Sequence, residues 1–281
     1  MRQYHELLKS ILEKGTEHQD RTGVGTISHF GHQTRFDLRE GFPIVTTKRI
    51  PFRWVAEELF WFLSGDTNEA NLRSRGVDIW AEWADEEHTK RFGREAGDLG
   101  PIYGYLWRSF GGHYPKLDGV DQIARLMREI RDNPNSRLIV TGWDPSQCDN
   151  VDLPPCHTLF QFKVENQKVL HCQLYQRSAD AFLGVPFNIS SYALLTHMIA
   201  HASGLEAGEF IYTLGDYHIY KNHLSQVEEL LSRTPLKLPH LEIHSETGGP
   251  SGLEGLLKMR FEDLKLVGYE SHGKIAAPVA V

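Results

Sequence analysis

One cysteine of this chain stands in a setting that favours nucleophilic chemistry. Cys156 ends the run Leu153-Pro-Pro-Cys156, where two consecutive prolines fix φ and remove two backbone donors. A loop stiffened in this way holds the thiol before any reaction starts, which reduces the entropy lost on attack. The alternative is a structural cysteine, because free cysteines are often buried as small apolar side chains.

An arginine that follows at short range favours the chemical role. Arg177 and Ser178 lie in the polar stretch Gln173–Asp180, at the end of a strand-like segment. A neighbouring guanidinium lowers the pKa of a thiol and can also hold an anionic group of a substrate. We therefore expect Arg177 to lie close to Cys156 and to lower the pKa of its thiol.

Two further arginines are candidates for phosphate binding. Arg21 lies in the segment Asp20-Arg-Thr-Gly23, where backbone N–H groups in glycine turns and a guanidinium can together clasp a phosphate. A solvated loop arginine is the alternative. Arg137 follows a turn at 133–136 and is the third arginine of this group.

A carboxylate in an apolar segment and a group of three polar residues are also candidates. Glu58 stands beside Leu-Phe-Trp-Phe, where a carboxylate is costly unless it is paired or catalytic, whereas Glu57 should face solvent. Asp216, His218 and Tyr220 cluster where a strand should give way to a helix, so they form either a helix cap or part of a site.

Metal and nucleotide-loop motifs are weak in this sequence. His197 and His201 are four apart on a predicted helix, but the glutamate of a zinc-protease motif and a third ligand are missing, so no metal is predicted. The run 247–252 is rich in glycine, but no Gly-Lys-Ser/Thr follows it, which indicates an ordinary loop.

Composition limits the class of protein. The chain has 281 residues, 40% hydrophobic, and a formal net charge of -7, which argues against a general nucleic-acid binder. Its three cysteines follow no disulfide or metal spacing. No apolar run reaches membrane-spanning length and no targeting segment is evident, so we expect a cytoplasmic protein with reduced thiols. We predict a single domain over 1–281 with a surface insertion at 86–97.

The elements needed to position these residues alternate irregularly. Helical periodicity covers 4–12, 52–63, 120–131, 189–202 and 219–231, and strand-like segments cover 26–38, 137–143, 158–164, 169–175, 209–214, 240–244 and 260–269. Without a regular βαβ order, the pattern predicts an α+β fold.

Taken together, the segments closely resemble the folate-dependent thymidylate synthase family, which also includes deoxynucleotide hydroxymethylases. The resemblance covers nearly the whole chain. It is carried by the motifs Asp20–Gly25, Gly41–Lys48, Glu58–Leu63, Gly65–Asn68, Asp98–Gly104, Leu153–His157, Gln173–Asp180, Gly184–Asn188, Gly215-Asp216 with His218 and Tyr220, and Ala277–Val281.

The resemblance implies a mixed β-sheet flanked by helices and a homodimer whose sheets pack back to back. It also implies a methyltransferase of dTMP biosynthesis that takes dUMP and 5,10-methylenetetrahydrofolate. The implied catalytic residues are Cys156, Glu58, Tyr103, Asn188, Arg177 and Asp180. The implied dUMP-binding residues are Arg21, Arg137 (from the partner), Arg177, Ser178, Ala179, Asp180, Asn188, His218 and Tyr220. The implied folate-binding residues are Trp80, Trp83, Asp180, Gly184, Phe187 and Ala280 with Val281.

Each implied role has a chemical rationale. Cys156 would attack C6 of the uracil ring, Glu58 would organise water and proton transfer, and Tyr103 would assist removal of the C5 proton. Asn188 offers a donor and an acceptor that match O4 and N3–H of uracil, whereas an aspartate suits cytosine better.

Three positions depart from the family's usual pattern. Arg137 stands alone where two adjacent arginines are usual, Pro51 or Phe52 replaces a histidine, and Ala81 replaces an aspartate. These changes imply weaker binding and keep two alternatives open: a hydroxymethylase, in which water captures the one-carbon unit, and a nucleotide-binding protein without turnover. The retained Trp80 favours methylation because it would exclude water.

Overall fold

The architecture is α+β, as the sequence predicts. A computed structural model describes residues 1–244 and 251–280, so Val281 and most of the loop predicted at 247–252 lie outside the described residues. The helices are α1 (Arg2–Lys14), α2 (Phe52–Ser64), α3 (Glu69–Arg73), α4 (Glu86–Lys90), α5 (Tyr103–Arg108), α6 (Gln122–Asp132), α7 (Gly184–Ser203), α8 (Leu224–Ser232) and α9 (Gly252–Lys258). The strands are β1 (Thr16–His18), β2 (Thr26–Asp37), β3 (Ile139–Thr141), β4 (His157–Glu165), β5 (Val169–Asp180), β6 (Glu206–Tyr220), β7 (His240–Ile243) and β8 (Leu264–Val267).

Six strands form one mixed sheet in the order β1-β2-β6-β5-β4-β3, and β7 pairs with β8. The central pair, β5 and β6, is parallel, and the other pairs are antiparallel. A parallel pair needs a long crossover connection, and the twenty-residue helix α7 supplies it. Because α7 is buried on most of its sides, it reads as an apolar segment without a strong polar face.

The prediction of a helix beginning at Ile219 is wrong. Strand β6 continues to Tyr220, and α8 begins only at Leu224, after a 3-10 turn over 221–223. Eleven residues of β2 pair with β6 in the register Thr26↔Tyr220 to Asp37↔Glu209, and this partner strand keeps the segment extended. The cluster Asp216, His218 and Tyr220 is therefore one row on a strand and not a helix cap.

The expectation that Glu57 faces solvent is also wrong. Its side chain lies on the buried part of α2, 8% exposed. Its carboxylate oxygens lie 3.5 Å from Arg53 and 3.6 Å from Arg75. Because α2 is covered on more than one side, the neighbour of Glu58 needs its own ion pairs and does not reach solvent.

The insertion predicted at 86–97 lies on the surface but is folded. Its base is closed by a hydrogen bond of 2.7 Å from the Gly97 N–H to the Ala84 carbonyl. Within it, Asp85 caps α4 by accepting from the His88 N–H at 2.9 Å. Within the described residues, no helix has the length and apolar character needed to cross a membrane.

Candidate active site

Arg177 fixes the proline loop that carries Cys156. Its Nε donates to the Pro155 carbonyl at 3.0 Å, and its Nη2 donates to the Pro154 carbonyl at 2.7 Å. The same Nη2 lies 3.8 Å from Cys156 Sγ, and the Arg177 N–H donates to the Cys156 carbonyl at 2.9 Å. The antiparallel pairing of β4 with β5 produces this contact, since His157 lies opposite Gln176. The expected proximity of arginine and cysteine is confirmed.

Arg177 acts to lower the pKa of the thiol, as expected, but the pKa as a whole is raised and not lowered. Burial raises the pKa of Cys156, and the lowering influences of Arg177, Tyr103 and Arg21 do not cancel it. Taking a thiolate out of water costs more here than one guanidinium at 3.8 Å returns. The sulfur is therefore held mainly as a thiol beside a cation that favours the thiolate.

Tyr103 lies directly beneath the cysteine. As the first residue of α5, it accepts a hydrogen bond at its Oη from the Cys156 N–H at 2.7 Å. Its ring lies 4.9 Å from that of His157 and 6.0 Å from that of Trp80. Burial raises the pKa of Tyr103 well above its usual value, so this hydroxyl keeps its proton at neutral pH.

Cys156, Arg177 and Tyr103 form one buried corner of the site, and Glu58 and Trp80 form a second. The Trp80 Nε1–H donates to Glu58 Oε1 at 2.7 Å. Burial raises the pKa of Glu58 to about 7, although the bond from Trp80 acts in the opposite direction. A carboxyl with this pKa is present in both protonation states at neutral pH, which suits proton transfer. The ring of Trp83 lies 5.9 Å from the ring of Trp80.

The start of α7 brings Asp180, Gly184 and Asn188 together. Asp180 Oδ1 accepts from the backbone N–H groups of Phe182 at 2.9 Å and Leu183 at 3.1 Å. A Cβ at Gly184 would lie 3.5 Å from Asn188 Oδ1 and 3.8 Å from Asp180 Cβ. The glycine therefore leaves space between two polar side chains. Phe187 and Asn188 are both half-buried.

The parallel pair of strands places a polar row beside Asp180. In the register, Ser178, Ala179 and Asp180 lie opposite Asp216, Tyr217 and His218. Asp216 Oδ1 accepts from Ser28 Oγ at 2.6 Å and lies 3.3 Å from His218 Nδ1. The rings of His218 and Tyr220 are 5.2 Å apart. This row can present an imidazole and a phenol to a ligand.

Arg21 faces the same space from a neighbouring loop. Asp20 shapes that loop, because its carboxylate accepts from the Gly25 N–H at 2.7 Å and from the Thr22 N–H at 3.1 Å. Arg21 is exposed, and its charge opposes the burial that raises the pKa of both Cys156 and Tyr220. Its guanidinium is thus the second cation near the sulfur.

Arg137 is not part of this group. It is exposed and immediately precedes the buried Leu138, whose carbonyl accepts from the Phe162 N–H at 2.8 Å. Phe162 lies six residues beyond Cys156, which along a strand is roughly 20 Å. Leu138, which stands where a second arginine is usual, belongs to the core.

Three residues that sequence reasoning did not nominate also line the site. The ring of His157 packs against those of Tyr103 at 4.9 Å and Tyr192 at 5.1 Å, and burial lowers its pKa to about 4, although Asn188 acts in the opposite direction. Lys48 donates through Nζ to the Phe182 carbonyl at 2.5 Å, and burial lowers its pKa to about 8. Both lie inside motifs that carried the resemblance, which was the available signal.

The third is His223, which fixes the C-terminal segment. Its Nε2 donates to the Pro278 carbonyl at 2.7 Å, and its ring lies 5.6 Å from that of Tyr220. Ala280 follows as a half-buried residue. The tail is therefore tied to the end of the polar row on β6.

Over 1–244 and 251–280, there is no group of three or more His, Cys, Asp or Glu side chains that could hold a metal ion. The Nε2 atoms of His197 and His201 are buried without a hydrogen-bond partner in this part of the chain.

Comparison with known protein families gives a match over almost the full length. The family model described as Thymidylate synthase matches residues 2–281. The match includes every residue of the two corners and of the polar row.

Proposed function

Because the chain belongs to the thymidylate synthase family, whose members are transferases that methylate dUMP, we propose that it converts dUMP to dTMP with 5,10-methylenetetrahydrofolate and releases dihydrofolate. The observation that carries the proposal is the position of Cys156 Sγ, 3.8 Å from Arg177 Nη2 on a loop that the same arginine fixes. A thiol held beside a cation is suited to adding to an electron-poor ring.

The nucleotide would bind between the cysteine and the polar row. Arg21 and Arg177, with Ser178, supply the charge and hydroxyl that bind a phosphate. His218 and Tyr220 would bind the deoxyribose hydroxyl. The backbone of Ala179 and Asp180 would lie along the nucleotide, because β5 runs between these groups.

Asn188 would recognise the base. Its amide can donate to O4 and accept from N3–H of uracil. His157, which lies next to Asn188 and has a pKa lowered to about 4, stays neutral at pH 7 and leaves the amide without a competing positive charge. Neutral surroundings favour uracil over a base that needs an anionic partner.

The chemistry would start with Cys156. Its thiolate would add to C6, which makes C5 nucleophilic. The pKa of the thiol is raised by burial, so the thiol would first give its proton to water, and the charges of Arg177 and Arg21 would then favour the thiolate. Tyr103, which lies below the loop, would assist removal of the C5 proton.

The residues present fit the folate. The folate supplies a one-carbon unit and a hydride, and it needs an apolar wall and a polar group for its pterin. Trp83 is half-buried and exposes part of its ring beside the buried Trp80, and Asp180 with Gly184 and Phe187 borders the same space at the start of α7. Pro51 offers no side-chain hydrogen bond at the start of α2, so Asp180 would be the main polar contact.

Glu58 would move protons near the pyrimidine oxygen. Its pKa of about 7 lets it both donate and accept at neutral pH. Its bond to Trp80 ties proton transfer to the residue that shields the one-carbon intermediate from water. This coupling favours methylation over hydroxymethylation, since exclusion of water decides between them.

We further propose a homodimer in which Arg137 reaches the phosphate site of the partner subunit. Its exposed position, roughly 20 Å along the sheet from Cys156, leaves it without a role in its own site. An active monomer in sedimentation experiments would contradict this arrangement.

A product assay tests the function. Wild-type protein with dUMP and 5,10-methylenetetrahydrofolate should form equal amounts of dTMP and dihydrofolate. Cys156→Ser should lose at least about 10³-fold in kcat, because a hydroxyl is a far weaker nucleophile than a thiolate. Cys148→Ser is the matched control, since Cys148 Sγ bonds the Asp144 carbonyl at 3.3 Å and should leave kcat unchanged.

The products also identify the alternatives. Tetrahydrofolate with 5-hydroxymethyl-dUMP would replace the proposal by hydroxymethylation. Binding of dUMP without release of tritium from C5 would replace it by binding alone.

A further inference from the structure

The folded insertion at residues 85–97, here called the strap, starts next to the proposed folate wall. It follows Trp83 after one residue and turns through α4. Thr89 is buried, and its Oγ1 donates to the Asp85 carbonyl at 2.9 Å. The Glu69 N–H donates to the Gly97 carbonyl at 2.8 Å, which ties the end of the strap to α3. The strap is therefore fixed at its base and from within.

The outer part of the strap contacts the loop that leads to Cys156. The Arg91 guanidinium pairs with Asp152, and His88 Nε2 lies 3.9 Å from the other carboxylate oxygen of Asp152. His88 is itself oriented by a contact of 2.7 Å between its Nδ1 and Asp85 Oδ1. Asp152 immediately precedes the run Leu153-Pro-Pro-Cys156.

Asp152 differs from an ordinary surface partner. Its side chain is 16% exposed, whereas the nearby pair Lys90 and Glu86 is 76% exposed on each side. A carboxylate with so little water needs a cation. Over the described parts of the chain, its ion-pair partners are Arg91 and His88, both from the strap.

The cysteine loop is thus held from two sides. Arg177 bonds the carbonyls of Pro154 and Pro155 on one side, and the strap holds Asp152 on the other. We propose that Arg91, supported by His88, is a positioning residue that acts through Asp152 to place Cys156 for attack. This inference rests on the proposed function, because it assigns the strap a role in the same reaction.

The expected effect falls on kcat and not on nucleotide binding. None of the strap residues belongs to the group proposed to bind dUMP. A misplacement of a reacting atom by about 1 Å can cost as much as 10²-fold in rate. Releasing one of two anchors should cost less than that.

The test compares strap variants of the full-length protein. Arg91→Ala and Asp152→Asn should each lower kcat by roughly 5- to 30-fold, while the Kd for dUMP, measured by calorimetry, stays within about twofold. The double variant should be no worse than the more severe single variant, because both remove one interaction. Arg91→Lys should recover most of the loss. Lys90→Ala, which removes the neighbouring exposed cation, should keep the wild-type kcat.

A second readout does not require turnover. In a Cys148→Ser background, alkylation of Cys156 by a maleimide should be faster in Arg91→Ala than in Lys90→Ala. A freed loop exposes the sulfur and removes part of the burial that raises its pKa. This measurement separates failure of the inference from failure of the proposed function, because it needs neither dUMP nor folate.

Several results would overturn the inference. They are equal kcat and equal alkylation rates in Arg91→Ala and Lys90→Ala, additive losses in the double variant, or a loss of dUMP affinity that accounts for the fall in kcat/KM. A lowered Tm with unchanged kcat and alkylation would show a purely structural strap.

Discussion

The two buried corners of the site hold acidic groups under similar conditions but with different partners. Cys156 has a guanidinium 3.8 Å from its sulfur, and burial still raises its pKa. Glu58 accepts from a neutral donor, the indole of Trp80 at 2.7 Å, and its pKa rises to about 7. Burial therefore raises the pKa in both corners. The partner of each group opposes that rise and so determines how easily the group ionises. The corner of Cys156 holds a nucleophile, and the corner of Glu58 holds a group that can donate or accept a proton.

After loss of the nucleophile itself, the largest effect should come from removing the proton-carrying group. Glu58→Gln should lower kcat by roughly 10²- to 10⁴-fold, the range of general acid–base catalysis. Glu57→Gln is the matched control on the same helix, since Glu57 pairs with Arg53 and Arg75 away from the site. Comparable loss of kcat in both variants would contradict the assignment of Glu58.

The same variant carries a pH-dependent signature in stability. The folded-state pKa of Glu58 is raised from 4.5 to about 7, so the unfolded state loses its proton first. Ionisation therefore destabilises the wild type as pH rises through this window, by up to about 3 kcal/mol above pH 7. The Tm of Glu58→Gln relative to wild type should rise between pH 4.5 and 7. A difference in Tm that stays constant with pH would show that burial does not raise the pKa of the Glu58 carboxyl.

An intermediate effect should come from the cation of the other corner. Arg177→Gln removes the charge that lowers the pKa of Cys156, so the midpoint of Cys156 alkylation against pH should rise by about one to three units. Arg177→Lys keeps a charge and should lie closer to wild type. An unchanged or lower midpoint in Arg177→Gln would show that the guanidinium acts mainly by fixing the loop.

The smallest effect should come from Trp80→Phe. The indole N–H favours the ionised form of Glu58, so its loss should raise the pKa of Glu58 above about 7. The kinetic pKa assigned to Glu58 should move to higher pH, by less than about one unit for a neutral donor. Trp61→Phe is a control within the same aromatic group, because Trp61 Nε1 has no hydrogen-bond partner among the residues that the structure describes. A shift to lower pH in Trp80→Phe would reverse the proposed sign.

Most elements of the fold could be predicted because their periodicity reflects burial. Helix α1 ends at the residue before Gly15, and β2 occupies nearly the predicted range. The end of β6 could not be predicted, because its extended form depends on pairing with β2, which lies far away in the sequence. Local pattern alone made Ile219 look helical.

The geometry beside Cys156 was more predictable from the sequence than its electrostatics. The proximity of Arg177 to Cys156 followed from the sequence, whereas the direction of the thiol pKa did not, since desolvation depends on the whole surroundings. Contacts between the strap and Asp152 were equally inaccessible, because they join segments that no periodicity relates. The resemblance supplied the roles of Tyr103 and Asn188, which composition and spacing could not.

The parallel pairing of β5 with β6 has a consequence for how this chain tolerates change. Both strands end at the same edge of the sheet, so Asp180 and His218 stand side by side; an antiparallel partner would have carried one of them to the opposite edge. Residues added at the hairpin tip around Asn166 would extend away from this edge. A residue added within β5 or β6 would turn the side chains that follow it on that strand, such as Asp180 or His218, to the other face of the sheet. The crossover through α7 therefore fixes the position of Asp180 relative to His218. Insertions should be tolerated at the end of the sheet near Asn166 and should abolish activity at the end that carries the site.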